Sequence, residues 1–398
     1  MIGARVLSPP VSVPFGNYQY EIYLAGMADQ VPELPMSWAE WEAAAHDVLA
    51  PGPRGYLFGG AGTEDSMRAN LEAFRRWRIV PRMLRDVAER DLATEILGTP
   101  MPAPLLLGPV GVQSILHPEG ELASARAAAS QGVPMVASTA GSHTLEQIAE
   151  AAGDAPRWYQ LYWPRGEELA ASFVARAEAA GYGALVVTLD TSLLGWRPRD
   201  LSGGYLPFLK SVGIANYLAD PVFRSTLEHP PEEDPQAAVG QFVGVFSNPT
   251  VTWDDLAWLR EQTSLPIVLK GILHPDDARE AAARGVDGVI VSNHGGRQVD
   301  GAIAPLDALP AVVEAVGDQL TVLMDSGIRS GADGFKALAL GAQAVLLARP
   351  AMWGLAVAGE EGVRIVLRSF LAELDLTLAL SGHTSLATVG PETLQLTS

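Results

Sequence analysis

The chain has 398 residues, enough for one large barrel or two to three ordinary domains. Hydrophobic residues make up 48% and charged residues 18%, so a large core is available and wholesale disorder is not expected. The net charge of −19 argues against a general nucleic-acid binder, and the absence of cysteine removes disulfides, thiolate nucleophiles, cysteine-ligated zinc and iron–sulfur clusters.

In chain order, Met1 to Phe15 holds one arginine, several prolines and no long apolar run, so no signal peptide is expected. No window is long and apolar enough for a spanning helix. Residues 1–100 read as a helical segment packing on the remainder of the chain. Ser37, with Glu40 three positions on, has capping-box spacing and predicts a helix over Ser37–Leu49. Tyr56 to Gly62 reads as a glycine-rich turn, and Arg68–Trp77 as a short amphipathic helix.

From residue 101 to 398, apolar runs of strand length alternate with alanine-rich helical stretches. The predicted strands are Pro104–Leu107, Pro134–Ser138, Arg157–Tyr162, Ala184–Asp190, Pro266–Gly271, Gly288–His294, Thr321–Gly327 and Ala344–Arg349. The predicted helices between them include Glu119–Gln131, Thr144–Ala152, Glu167–Ala180, Pro275–Arg284, Leu306–Val316 and Gly331–Leu340. Continuous apolar strands alternating with helices imply a parallel sheet. Eight such units suggest a closed (β/α)8 TIM barrel of the α/β class, with an open doubly wound sheet as the alternative. The spacing breaks once, between Thr191 and Leu265, where an acidic, proline-rich run from Glu228 to Pro235 lies. Residues 200–250 are read as a mobile lid over the barrel mouth, inserted after the fourth strand.

Every predicted strand ends in groups an active site can use. In order these are Pro109-Val110-Gly111; Ser138 and Thr139; Gln160 and Tyr162; Thr188 and Asp190; Lys270; Ser292 and His294; Asp325, Gly327 and Arg329; and Arg349. In a barrel these ends converge on one face, where chemistry sits. The run Ser292-Asn293-His294-Gly295-Gly296-Arg297-Gln298 is the most informative of them. A histidine with an arginine three positions on suits proton abstraction beside a carboxylate. Arg329 and Arg349, on the last two loops, suit a phosphate.

The chain resembles the FMN-dependent 2-hydroxy acid oxidase and dehydrogenase family from about Tyr18 to Leu394, and the Ser292–Gln298 run matches that family's signature. Within the family it looks closest to lactate 2-monooxygenases. That likeness is carried by Gly16-Asn17-Tyr18, Arg68-Ala69-Asn70, Leu189-Asp190-Thr191, Gly195-Trp196-Arg197-Pro198-Arg199-Asp200 and Asp220-Pro221-Val222-Phe223, among others. The resemblance implies FMN as cofactor, O2 as electron acceptor and a small 2-hydroxy carboxylate as substrate. It implies His294 as base, Asp190 as the carboxylate that stabilises its imidazolium, Arg197 and Arg297 as grips for the substrate carboxylate, and Tyr56 and Tyr162 as substrate tyrosines. It implies Lys270 near flavin N1 and O2; backbone of Pro109, Val110 and Gly111 along the ring; and Ser138, Gln160, Thr188 and Ser292 around the ring edge. Asp325, Gly327, Arg329, Ala348 and Arg349 would hold ribityl and phosphate. Two places depart from the usual pattern: Ala348 replaces a glycine before Arg349, and the turn Gly108-Pro109-Val110-Gly111 has glycine at both positions where many oxidases carry alanine. Gly111 is read as opening space that affects oxygen access or product retention.

The first functional reading is L-lactate oxidation with O2 by a lactate 2-monooxygenase, giving acetate, CO2 and water. The alternative is an oxidase releasing pyruvate and H2O2, and a third is a quinone-linked dehydrogenase touching a membrane through Tyr205 to Tyr217. An FMN-dependent isomerase on the same barrel would need a diphosphate, which the paired arginines do not suit. No metal, nucleic-acid or membrane partner is expected, and the resemblance suggests a cytoplasmic homotetramer or homo-octamer.

Overall fold

A computed structural model describes residues 14–397. Most of the Met1 to Phe15 reading lies outside those residues. Eight parallel strands close into a barrel: Leu105–Leu107, Met135–Ser138, Arg157–Tyr162, Leu185–Thr188, Ile267–Ile272, Gly288–Val291, Thr321–Met324 and Ala344–Leu347. All eight match predicted strands. The eighth pairs with the first, which closes the cylinder.

Strand alternation sorts the side chains into layers. Leu106, Val136, Trp158, Val186, Val268, Ile290, Leu323 and Leu346 pack against one another inside the barrel. Their strand neighbours, such as Leu105, Leu107, Leu185, Val187, Ile267 and Leu269, join the outer core under the helices. A hairpin of Thr94–Ile96 with Thr99–Met101 adds Ile96 and Met101 to the interior cluster, and Thr99 Oγ1 accepts the Trp158 indole N–H at 2.9 Å. Moving two residues along each strand from the interior layer gives Gly108, Ser138, Gln160, Thr188, Lys270, Ser292, Asp325 and Ala348. The same period that buries the apolar plug therefore lifts a mostly polar ring to the C-terminal mouth.

Four ladders end before the strands read from sequence. The fourth stops at Thr188, the sixth at Val291, the seventh at Met324 and the eighth at Leu347. His294 (φ 58°), Ser326 (φ 73°) and Gly327 (φ 86°) are left-handed, which a ladder does not accommodate. Arg349 opens a long helix, Arg349–Leu380, that breaks at Ala358 and Gly359. Sequence reading did not identify this helix.

The N-terminal segment is helical over Tyr18–Gly26, Trp38–Val48, Pro51–Phe58 and Asp65–Arg76. Ser37 and Glu40 form the capping box expected of them. Tyr56 lies on the helix Pro51–Phe58 rather than in a turn; the turn begins at Gly59. The strand Trp77–Ile79 pairs antiparallel with Leu394–Leu396 and ties the segment to the C-terminal end.

The insertion after the fourth strand is mostly helical, over Pro198–Gly203, Ala215–Leu218, Pro221–Ser225 and Pro235–Phe246. Its middle is fastened to the barrel. Buried Asn216 donates to the Ser138 and Thr139 carbonyls and accepts from Leu145 N–H at 2.8 Å. Buried Asp220 meets Arg176 at 3.0 Å, and Phe208, Tyr217, Phe223, Phe242 and Phe246 form an aromatic cluster. The exposed apolar side chains of the insertion concentrate earlier, at Leu193, Leu194, Trp196, Leu201 and Leu209. Between these exposed side chains the first part is still anchored, by buried Arg197, Asp200 and Phe208.

Gly296 has φ 74°, and a Cβ there would stand 2.7 Å from the Met67 backbone nitrogen, on the helix Asp65–Arg76. Gly296→Ala combines left-handed strain with a backbone clash, so a loss of about 2–4 kcal/mol in unfolding free energy is expected by chemical denaturation.

Candidate active site

One cavity at the barrel mouth is lined by Tyr56, Pro109, Val110, Gly111, Gln160, Tyr162, Thr188, Arg197, Lys270, His294, Arg297, Asp325, Gly327, Arg329, Ala348 and Arg349. These come from the N-terminal helix, the strand ends and the lid base. The three remaining sequence-predicted residues stand one layer behind. Ser138 Oγ donates to Gln160 Oε1 at 2.8 Å. Ser292 Oγ accepts from Lys270 Nζ at 2.8 Å. Asp190 Oδ1 accepts from His294 Nδ1 at 2.7 Å.

His294 is held from both ends. Its backbone N–H donates to Ser292 Oγ at 3.1 Å, and its ring is fixed by Asp190. With Nδ1 committed to the carboxylate, Nε2 is the nitrogen free to act as base. Burial pushes the imidazole below its ordinary value, and outweighs the upward pull of Asp190. The imidazole is therefore neutral at pH 7. Asp190 itself feels burial upward, but His294, protonated at the low pH where this carboxyl titrates, and Lys270 hold it down at about 2. Lys270 is buried, which favours its neutral form, yet Asp325 at 3.2 Å and Asp190 at 3.8 Å keep it charged and raise its pKa.

The substrate side collects two guanidinium groups. Arg197 is buried and donates to the Arg297 carbonyl and to Gln298 Oε1. Burial and the neighbouring Arg297 lower its pKa to about 10. Arg297 donates to the Tyr56 and Gly59 carbonyls and lies over the Tyr56 ring at 4.7 Å. Neither pairs with a carboxylate among the described residues, so both keep positive charge turned toward the cavity. The Tyr162 ring lies 6.5 Å from the His294 ring and 5.4 Å from Phe246. Burial pushes its phenol up, so it is a proton-bearing donor.

The cofactor side fits FMN on three counts. Gln160 Nε2 and Thr188 Oγ1 are buried, line the cavity and have no hydrogen-bond partner in the protein, as expected of groups facing a polar ring edge. Among the described residues the Arg329 and Arg349 side chains also lack a carboxylate partner: the Arg329 guanidinium donates to the Ile328 carbonyl, and that of Arg349 to the Leu57, Gly59 and Gly295 carbonyls. Burial lowers the pKa of both, a penalty that an anion between them offsets. Arg349 also opens a helix, whose N-terminal amides favour phosphate. Arg329→Met is expected to raise the FMN dissociation constant about 10–100-fold, read by fluorescence titration. The apoprotein should melt no lower, because an uncompensated buried charge has been removed.

Gly111 is explained by packing. A Cβ there would stand 2.7 Å from the Ala140 carbonyl oxygen, so alanine at this position must shift backbone whatever it does to oxygen access. Several site residues escaped sequence reading. Asn70 and Asn293 exchange side-chain hydrogen bonds at 2.8 and 2.7 Å and tie the N-terminal helix to the signature loop. Thr191 Oγ1 donates to Asp190 Oδ1 at 3.0 Å. Phe208, Phe246 and Leu194 supply an apolar wall from the insertion after the fourth strand. Asn70, Asn293 and Thr191 stood in motifs that carried the resemblance, and Phe208 in the apolar stretch Tyr205 to Tyr217; nothing marked Leu194 or Phe246.

The fold and the donors around this cavity fit a barrel oxidoreductase of the flavin-dependent kind. The chain belongs to the FMN-dependent dehydrogenase family, whose sequence profile matches residues 45–396, and it is an FMN-dependent oxidoreductase of 2-hydroxy acids. It is 44% identical to an L-lactate oxidase of Lysinibacillus sphaericus, over 92% of this chain and 94% of that protein. It is 43% identical to 2-hydroxyacid oxidase 1 of Homo sapiens, over 86% and 92%. A crystal structure of mandelate oxidase with (S)-4-hydroxymandelic acid superposes with a TM-score of 0.81 at 41% identity, over 91% of this chain and 98% of that one.

Proposed function

We propose that the protein oxidises L-lactate, or another small L-2-hydroxy acid, with O2, and that it acts as a lactate 2-monooxygenase giving acetate, CO2 and water. The observation that carries the chemistry is the convergence of a neutral His294, braced by Asp190, with the uncompensated guanidinium groups of Arg197 and Arg297. The two arginines fix the substrate carboxylate, and Tyr56 or Tyr162 donates to its oxygens. His294 takes a proton from the substrate. Gln160, Thr188, Lys270, Arg329, Arg349 and the Pro109–Gly111 backbone would hold FMN, which when bound would supply the two-electron acceptor and the means of reducing O2. Lys270 contributes a fixed positive charge, and Ser138 and Ser292 orient Gln160 and Lys270.

The monooxygenase outcome requires that pyruvate stay while oxygen is reduced. The fastened middle of the lid, with Phe208 and Phe246 on the cavity wall, supports that reading. A second reading, an oxidase releasing pyruvate and H2O2, is favoured by the L-lactate oxidase relative. Counting acetate and peroxide per lactate consumed separates them. One acetate and no peroxide supports the first; one peroxide and no acetate replaces it with the second. A homotetramer or homo-octamer in the cytoplasm is the assembly we propose, by resemblance.

A further inference from the structure

The last residue of the signature run, Gln298, has its whole hydrogen-bonding capacity committed at the base of the lid. Its Nε2 donates to the Asp190 carbonyl at 2.7 Å and to the Leu193 carbonyl at 2.8 Å. Its Oε1 accepts from Arg197 Nη2 at 2.6 Å and from Gly195 N–H at 3.3 Å. The amide orientation is fixed by its partners: flipping it would set an oxygen against two carbonyls and an NH2 against a guanidinium. The backbones are also in contact here. A Cβ on Gly195 would stand 2.5 Å from the Arg297 carbonyl oxygen and 2.8 Å from that of Gln298. Apart from Gln298, the Arg197 side chain bonds only the Arg297 carbonyl among the described residues.

We propose that Gln298 is a positioning residue that fixes the Arg197 guanidinium and the first stretch of the lid, and so sets the grip on the substrate carboxylate. One side chain joins the signature loop, which carries His294 and Arg297, to the lid base, which carries Asp190 and Arg197. Carboxylate binding and closure of the lid base are thereby coupled. The inference rests on the reading of Arg197 as a carboxylate grip.

The test uses the FMN-loaded enzyme and the variants Gln298→Leu, Arg197→Met and the two combined. It measures kcat and KM for lactate, the dissociation constant of pyruvate from its perturbation of the flavin absorption, and the melting temperature. Gln298→Leu is expected to raise KM and the pyruvate constant about 10–100-fold with kcat changed less than about 5-fold, because uniform binding is lost. In the Arg197→Met background the same change should add less than about 3-fold, because it acts through that guanidinium. If Gln298→Leu loses FMN, Gln298→Met gives the same comparison with an unbranched side chain. Wild-type KM in a stable Gln298 variant, or effects that simply multiply with Arg197→Met, overturns the proposal. Wild-type KM in Arg197→Met instead overturns the carboxylate grip itself, and this inference falls with it.

Discussion

His294→Asn is expected to lower kcat by about 1,000-fold while FMN stays bound, the loss usual when a positioned base is removed. Asparagine is the informative replacement because the position is left-handed, at φ 58°, and asparagine tolerates that region. The backbone bond to Ser292 Oγ survives, so the loop keeps its shape. What disappears is a neutral ring nitrogen facing the cavity. Burial keeps the wild-type imidazole unprotonated at pH 7, and Asp190 occupies its other nitrogen. Mixing the variant anaerobically with lactate and following the bleaching of the flavin measures the step directly. A rate within tenfold of wild type would remove His294 from its role as base.

The barrel was legible because its strands are buried on both faces. Runs such as Leu185–Thr188 and Gly288–Val291 read as uninterrupted apolar segments, as a parallel sheet covered by helices requires, and their number, eight, favours the closed barrel over an open sheet. Where the chain leaves the ladder, the signal weakened. Nothing in Asn293-His294-Gly295 states that the histidine itself is left-handed, so the sixth strand was read three residues too long. The helix Pro51–Phe58 was missed because its two prolines and two glycines are poor helix formers; Pro51 at the start is tolerated there, and packing supplies the rest.

The site was legible to the extent that its residues sit on strands. Thr188, Lys270 and Asp325 follow from alternation alone once the strands are placed. The residues that brace them do not. The Asn70–Asn293 pair and the grip of Gln298 on Asp190 and Leu193 join positions remote in sequence. Asparagine and glutamine also carry no charge to mark them. The acidic net charge was equally silent about the cavity, which gathers Arg197, Arg297, Arg329, Arg349 and Lys270 on one face of the molecule.

Asp190→Asn tests the electrostatics rather than the chemistry of the base. Two effects push the His294 imidazole in opposite directions: burial lowers its pKa and Asp190 raises it, with Lys270 and Arg197 adding a smaller downward push. Thr191 and Tyr162 also face the ring, and both are neutral near pH 7. Removing the carboxylate deletes the upward pull and leaves Lys270 with one counter-charge fewer, so the pKa of His294 must fall further. Because the base works neutral, the rate falls at acid pH as the ring protonates. The acid limb of kcat/KM is expected below the ordinary histidine range in the wild type and at still lower pH in the variant. The plateau drops by about 100–1,000-fold, since the imidazolium formed as the proton is taken has lost its partner. A variant that merely loosened the fold would lower the plateau and leave the limb in place. An acid limb that stays put or moves upward shows that Asp190 does not set the proton affinity of the ring, and that its 2.7 Å contact serves only to hold the loop.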